Sequence, residues 1–165
     1  MTRIWIFLVV SVIGVSSDSD MKIFKRTVTT PGCPTGWMAF YGKCYFFSHM
    51  TETFSGASAF CQSFNSILAE PKTNTEIGYL SGEIILIGVT DYWVGISDVI
   101  QDNHWIYHSS LTPVQLHNWG PHEPSGGHCL VMSGYFHGKY ADVDCKTQRR
   151  FICERYATLQ GTLIG

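Results

Sequence analysis

The sequence predicts an α+β domain: two helices and small antiparallel sheets around a long irregular loop region, closed by three disulfides. Three observations carry that prediction. Helical patterning is confined to the first half of the chain. Short β-type runs separated by Gly, Pro, Asn and Asp clusters fill the second half. The 165 residues contain six cysteines, an even count behind a leader of secretory form. Helices first and strands afterwards argue against βαβ repeats.

The first segment reads as a signal peptide over residues 1–17. Arg3 supplies a single positive charge, an apolar stretch runs from Ile4 to Val15, and small residues follow at Ser16 and Ser17. Twelve residues in a helix reach about 18 Å, short of the roughly 30 Å core of a bilayer. No other apolar run is long enough to span a membrane. Residues 18–32 are polar and mixed and read as a flexible lead-in.

Trp37–Phe40 and Cys44–Phe47 flank Tyr41-Gly42, which predicts a hairpin. Between Ser55 and Phe64, the spacing of Ala59, Phe60 and Phe64, with Ala57 and Cys61 beside them, predicts a helix with one buried face. Thr73-Asn74-Thr75-Glu76 has capping-box form and opens a second helix, predicted to run to about Gly82. The run Ile84–Ile87 is ambiguous between helix and strand. Strands are then predicted at Tyr92–Ile96, His104–Tyr107, His128–Met132 and Arg150–Cys153. Ser109–Gly127 is a long stretch without regular pattern, of the kind that is functional or disordered. Trp119, Pro121, Pro124 and the nearby Cys129 argue that it is pinned. Residues 155–165 form a tail.

Composition narrows the function. The formal net charge is −2, with 15% charged, 14% aromatic and 45% apolar residues. That content suits a packed core. It provides no basic face for nucleic acid and no polybasic or acidic run. Loss of residues 1–17 removes only Arg3 among the charges, leaving −3. There is no C-x-x-C pair, no N-x-[ST] sequon, no G-x-S-x-G and no phosphate-cradling loop. Glu70, Glu83 and Asp91 are not placed together by any pattern, so an enzyme is not expected. Six cysteines allow 15 pairings, and spacing alone selects none.

Several pieces in order then carry a resemblance: Cys33-Pro34-Thr35-Gly36-Trp37, Cys44-Tyr45-Phe46-Phe47, Cys61, Trp93-Val94-Gly95-Ile96, Asn118-Trp119, Glu123-Pro124-Ser125, Cys129, Tyr140-Ala141-Asp142-Val143-Asp144-Cys145 and Arg149-Arg150-Phe151-Ile152-Cys153-Glu154. Together they resemble the C-type lectin-like domain over residues 33–154. The resemblance implies the pairs Cys33–Cys44, Cys61–Cys153 and Cys129–Cys145. It also implies that Trp93, Trp105, Trp119 and Tyr140 are packing residues.

The resemblance further implies a calcium ion in the long loop, on which sugar hydroxyls replace water. Calcium takes six to eight oxygen ligands. The matching positions are Glu123 and Ser125 on either side of Pro124, whose preceding bond is cis in the family and aims both side chains at one point, and Asp142 on the late strand. The family's acid two before the third conserved cysteine falls on Gly127, and its late Asn falls on Ala141. Neither can supply a side-chain oxygen, so weak calcium binding or none is expected, with Asp144 as a substitute if the loop folds differently. Tyr135, Phe136 and His137 are candidates for a sugar-facing turn. His117, His122, His128 and His137 could converge near the loop, but no zinc spacing appears, and His128 reads as a strand residue.

The function these residues imply is a secreted, extracellular lectin that binds glycans, including microbial ones in innate immunity, through a degenerate calcium site of Glu123, Pro124, Ser125 and Asp142. Glu123 leans the preference toward mannose- or GlcNAc-type sugars. The alternative is a calcium-independent module for protein or mineral surfaces. Nothing in the sequence sets the oligomeric state, although a homodimer would add avidity.

Overall fold

A computed structural model describes residues 32–115 and 117–158. The leader 1–17, nearly all of the lead-in 18–32 and the end of the tail lie outside the described residues.

The hairpin comes first. β1 (Met38–Phe40) pairs antiparallel with β2 (Lys43–Phe47). Tyr41 and Gly42 both adopt positive φ, 47° and 75°, the two-residue turn whose twist matches the strands. α1 (Phe54–Ser63) starts at Thr53, whose hydroxyl accepts from the Gly56 amide at 3.1 Å. Its buried face is Phe54, Ala57 and Cys61, with Phe60 packed half-buried beside it; of the residues expected from spacing, Ala57, Phe60 and Cys61 face inward and Ala59 and Phe64 do not. Phe54 at the first position begins an i, i+3, i+7 stripe. Ala59 is exposed and Phe64 is 49% exposed.

β3 (Ile67–Leu68) leads to α2 (Asn74–Ile87), which has the full capping box. The Thr73 hydroxyl accepts from the Glu76 amide at 3.1 Å, and the Glu76 carboxylate accepts from the Thr73 amide at 3.1 Å. α2 continues past Gly82, so the ambiguous run Ile84–Ile87 is its last turn. Only Ile84 of that run is buried.

The remaining strands are β4 (Asp91–Ser97), β5 (Ile106–Tyr107), β6 (Cys129–Ser133), β7 (Lys139–Val143) and β8 (Arg150–Tyr156). A short 3₁₀ turn, Gly134–Phe136, joins β6 to β7. The sheet runs β1-β2-β8-β4-β6-β7, with β3 on β8 and β5 on β4. All pairs are antiparallel except β4–β8, where Tyr92 faces Arg150 and Trp93 faces Phe151. β8 extends beyond Glu154, and the Thr158 amide donates to the Gly32 carbonyl at 2.8 Å.

Strand alternation splits the core in two. Tyr92, Val94 and Ile96 pack with Tyr45, Ile77, Leu80 and Ile84 on the α2 side. Trp93 packs with Phe54, Ala57, Cys61, Val131 and Phe151 on the α1 side. β4 is covered on both faces, and its residues from Tyr92 to Ser97 are buried. Three disulfides tie these layers: Cys33–Cys44, Cys61–Cys153 and Cys129–Cys145. They are the pairs that the resemblance implies. Trp93 and Tyr140 are almost fully buried, Trp105 is 8% exposed and Trp119 packs against the core.

One ionic cluster lies between the sheet and α2. Lys43 Nζ is 2.7 Å from Glu76 and 3.1 Å from Glu154. Tyr45 donates to Glu76 at 3.2 Å. One cation serves two carboxylates, and they diverge. Burial opposes ionisation of Glu76, but hydrogen bonds from Lys43 and the Lys72 amide hold its carboxyl below the usual range. Burial pushes Glu154 up to about 7.

Candidate functional site

The long loop is pinned in three places. The buried Glu70 carboxylate accepts from the Ser109 amide at 2.6 Å and the Ser109 hydroxyl at 2.8 Å. The Val114 amide donates to the Trp105 carbonyl at 2.9 Å. Near its end the loop runs beside β7: the Tyr140 amide donates to the Asn118 carbonyl at 2.7 Å, and the Gly120 amide to the Tyr140 carbonyl at 2.8 Å. This course carries Glu123, Pro124 and Ser125 over Asp142.

The Glu123–Pro124 bond is cis. Glu123 Oε2 accepts from the Asp142 amide at 3.3 Å. Asp142 is 3% exposed, and its carboxylate is enclosed by donors. Oδ1 accepts from the Ser125 amide and, at 3.2 Å, from the Ser125 hydroxyl. Oδ2 accepts from the Gly126 amide at 2.8 Å. The two acids respond oppositely. Burial and a hydrogen bond to Asp142 raise the Glu123 carboxyl above its ordinary range. Burial also opposes ionisation of Asp142, but the bond to Glu123 and the Ser125 and Gly126 amides hold its carboxyl below the usual range.

The donor set falls short of a calcium ion. Glu123, the Ser125 hydroxyl and Asp142 are the side-chain oxygens here, and both Asp142 oxygens already accept from amides. A Cβ on Gly127 would come within 2.5 Å of the Val143 Cα, so no longer side chain fits there without movement of β7. Ala141 is 6% exposed and packs with Trp93 and Val131 on the opposite face of β7 from Asp142.

A groove of about 720 Å³ opens beside Ser125 and Asp142. Its polar lining includes His128, Asp144, Lys146, Thr147 and Arg149. Glu123 and Pro124 do not line it. The Asp144 carboxylate accepts from the Lys146 amide at 2.9 Å. His128 precedes β6 and is not a strand residue. Its Nδ1 lies 3.0 Å from Asp98 Oδ1. Asp98, Asp102 and His128 bring one ligand atom each within 4.8 Å of one another. Among the described residues this is the single such group, so the four histidines near the loop do not converge. The sequence held no signal for it, because Asp98 and His128 are thirty residues apart and meet only across β4 and β6.

The aromatic turn is not at the site. Tyr135 and Phe136 lie beyond the Ser133–Lys139 pair, whereas Asp142 faces Leu130. Three residues of strand separate them, about 10 Å. Phe136 is half-buried, and a Cβ on Gly120 would meet its ring at 2.7 Å.

The C-type lectin domain model matches residues 50–155. The chain belongs to the C-type lectin domain family. It is 32% identical over 117 residues to human C-type lectin domain family 3 member A, covering 68% of this chain and 59% of that protein. The chain thus spans about three fifths of that relative's length. It is 30% identical over 131 residues to perlucin of Haliotis laevigata, covering 75% of this chain and 83% of perlucin. Among solved structures, the carbohydrate-recognition domain of mouse scavenger receptor C-type lectin superposes with a TM-score of 0.72 at 28% identity, covering 77% of this chain and all of that one. The domain of cow CD23, solved in the presence of a GlcNAc2Man3 oligosaccharide, superposes with a TM-score of 0.68 at 27% identity, covering 76% and 97%. Among the described residues, no helix is long and apolar enough to cross a membrane.

Proposed function

We propose that this C-type lectin domain is a secreted glycan-binding module, not an enzyme, that recognises sugars at the Glu123–Pro124–Ser125 edge and the adjoining groove. The observation that carries the reading is the capture of Glu123 and Ser125 by Asp142. One buried residue fixes the edge of an open polar groove, its carboxylate holding Ser125 and Gly126 and its amide holding Glu123. Glu123 offers an acceptor for sugar hydroxyls, and Ser125 a hydroxyl oxygen that can accept while its proton is held by Asp142. Asp144, Lys146 and Thr147 extend the surface. Recognition here runs on protein donors and acceptors, with calcium binding only in the millimolar range or absent, because the site holds too few free oxygens. The Glu123 acceptor and the oligosaccharide present with the CD23 domain support a mannose- or GlcNAc-type preference. Three disulfides support an oxidising, extracellular setting.

A second reading, a calcium-independent module for protein or mineral surfaces, is favoured by one observation. Gly127 and Ala141 take the places of two ligands, and both are tied into packing. A glycan array run with and without EDTA separates the two. Binding in both conditions supports the first reading, and strict dependence on calcium overturns its calcium-independent mechanism. Absence of binding in either condition favours the second.

A further inference from the structure

We propose that a second sugar subsite lies at the far end of the groove, in a polar pocket of Asp91, Arg149 and Tyr135, and that the ligand is an oligosaccharide occupying both ends. This rests on the glycan-binding reading above and sets the size of its ligand.

The pocket holds about 320 Å³, the scale of a small-molecule site. Val89, Thr90, Asp91, Tyr135 and Arg149 line it. It adjoins the groove, because Arg149 lines both. From Ser125 and Asp142 the groove follows Asp144, Lys146 and Thr147 to Arg149. Asp142 is level with Leu130, and Asp91 with Ser133. Three residues of strand thus set the two ends about 10 Å apart along the sheet. A single sugar ring at one end leaves the other free, whereas a chain of sugars reaches both.

The ion pair in the pocket wall is incompletely matched. Arg149 Nε is 3.6 Å from Asp91 Oδ2, too long for a hydrogen bond. Among the described residues, Asp91 Oδ1 and Arg149 Nε have no hydrogen-bond partner. Proteins pair nearly all such buried groups. The Arg149 guanidinium has five donor hydrogens. Among the described residues it places one hydrogen bond, on the Gln148 carbonyl at 3.0 Å. The two side chains are 17% and 34% exposed, so the pair is within reach from the pocket. Neighbouring hydroxyls of a sugar supply what it lacks: one donates to the carboxylate and the next accepts from the guanidinium. Because the two charges cancel, the pocket favours a neutral polyol over an anion.

Tyr135 adds a platform. It is 68% exposed, and a tyrosine ring offers an apolar face with a polar edge. The turn that carries it is clamped to the start of β4. The Gly134 amide donates to the Thr90 carbonyl at 2.8 Å, and a Cβ at position 134 would collide with the Thr90 amide. The ring is thereby held in the same pocket as Asp91, where the C–H face of a sugar stacks on it.

Calorimetric titration of the disulfide-bonded chain with mannose, N-acetylglucosamine and the GlcNAc2Man3 oligosaccharide tests this. The oligosaccharide is expected to bind at least about tenfold tighter than either monosaccharide. Tyr135→Ala, at an exposed position, should remove most of that advantage while monosaccharide binding and the thermal melt stay as in wild type. Tyr135→Phe, which keeps the ring, should retain it, and Asp91→Asn should reduce it. Equal affinity for the three sugars, or a Tyr135→Ala variant that keeps the full advantage, would overturn the second subsite and leave the reading of the first standing. Failure of all three sugars to bind would overturn both.

Discussion

Gly127 abuts Val143 so closely that a Cβ at position 127 would sit 2.5 Å from the Val143 Cα. The loop that would supply a calcium ligand is thereby seated on the strand that bears Asp142. Restoring the family's acid with Gly127→Glu should therefore not restore the ion. The expected loss of stability is about 2–3 kcal/mol from overpacking. Calorimetric titration should show no calcium binding tighter than millimolar. Micromolar binding by this variant would show that the loop is free to lift.

Glu123 and Asp142 should separate by role. Glu123→Gln keeps the shape but removes the anionic acceptor. It should weaken glycan binding roughly tenfold with little change in melting. Asp142→Ala strips an acceptor from the Ser125 and Gly126 amides and should cost about 2–3 kcal/mol as well as binding. Equal melting of the two variants would contradict this division. Because the Glu123 carboxyl is raised, binding in the wild type should fall as pH drops through that raised value, while Asp142, held low, remains ionised.

The Lys43–Glu76–Glu154 cluster gives stability a distinctive pH dependence. Glu154 binds its proton more tightly folded than unfolded, with its value near 7 against 4.5. Its contribution is complete below about pH 4 and is lost as pH rises toward 7. Glu76, held low, contributes in the opposite sense, above its unfolded value, and loses that contribution as pH falls. Unfolding free energies of wild type and Glu154→Gln from urea titrations should accordingly converge at acid pH and part by up to about 3 kcal/mol near neutrality, the variant being the more stable. Parallel curves would show that Glu154 ionises normally.

The three disulfides should rank by loop length. Cys61–Cys153 spans 92 residues and Cys129–Cys145 spans 16. In the chain-entropy model these correspond to about 4.7 and about 3 kcal/mol. Paired Cys→Ala variants compared by urea unfolding should keep that order. A reversed order would point to strain or residual structure in the unfolded chain instead.

Sequence was most informative where the physics is local. The Thr73–Glu76 capping box can be read from four residues, because its two bonds close within one turn. Tyr41-Gly42 marks its turn for the same reason. The end of α2 was less legible. Ile84–Ile87 is wholly apolar, yet only Ile84 is buried, so no period stands out. On α1, Ala57 and Cys61 were legible, but Phe54, the first residue of the buried stripe, was missed because it lies just before the expected start. At the site, Glu123, Ser125 and Asp142 were identified from the resemblance. The burial of Asp142 and its enclosure by amides depend on how the loop lies along β7, which no local pattern encodes. His128 looked like strand because it adjoins an apolar run, whereas its partner Asp98 reaches it only through the sheet.

β8 lies between β2 and β4 in the sheet, although it is made after every strand it joins. During synthesis on the ribosome, β2 and β4 therefore emerge with a vacancy between them. Each waits with an unpaired edge, and Cys61 waits as a free thiol. Closure of the domain is a late event that follows translation of residue 156. Until then the nascent chain is open to mispairing of strands and cysteines.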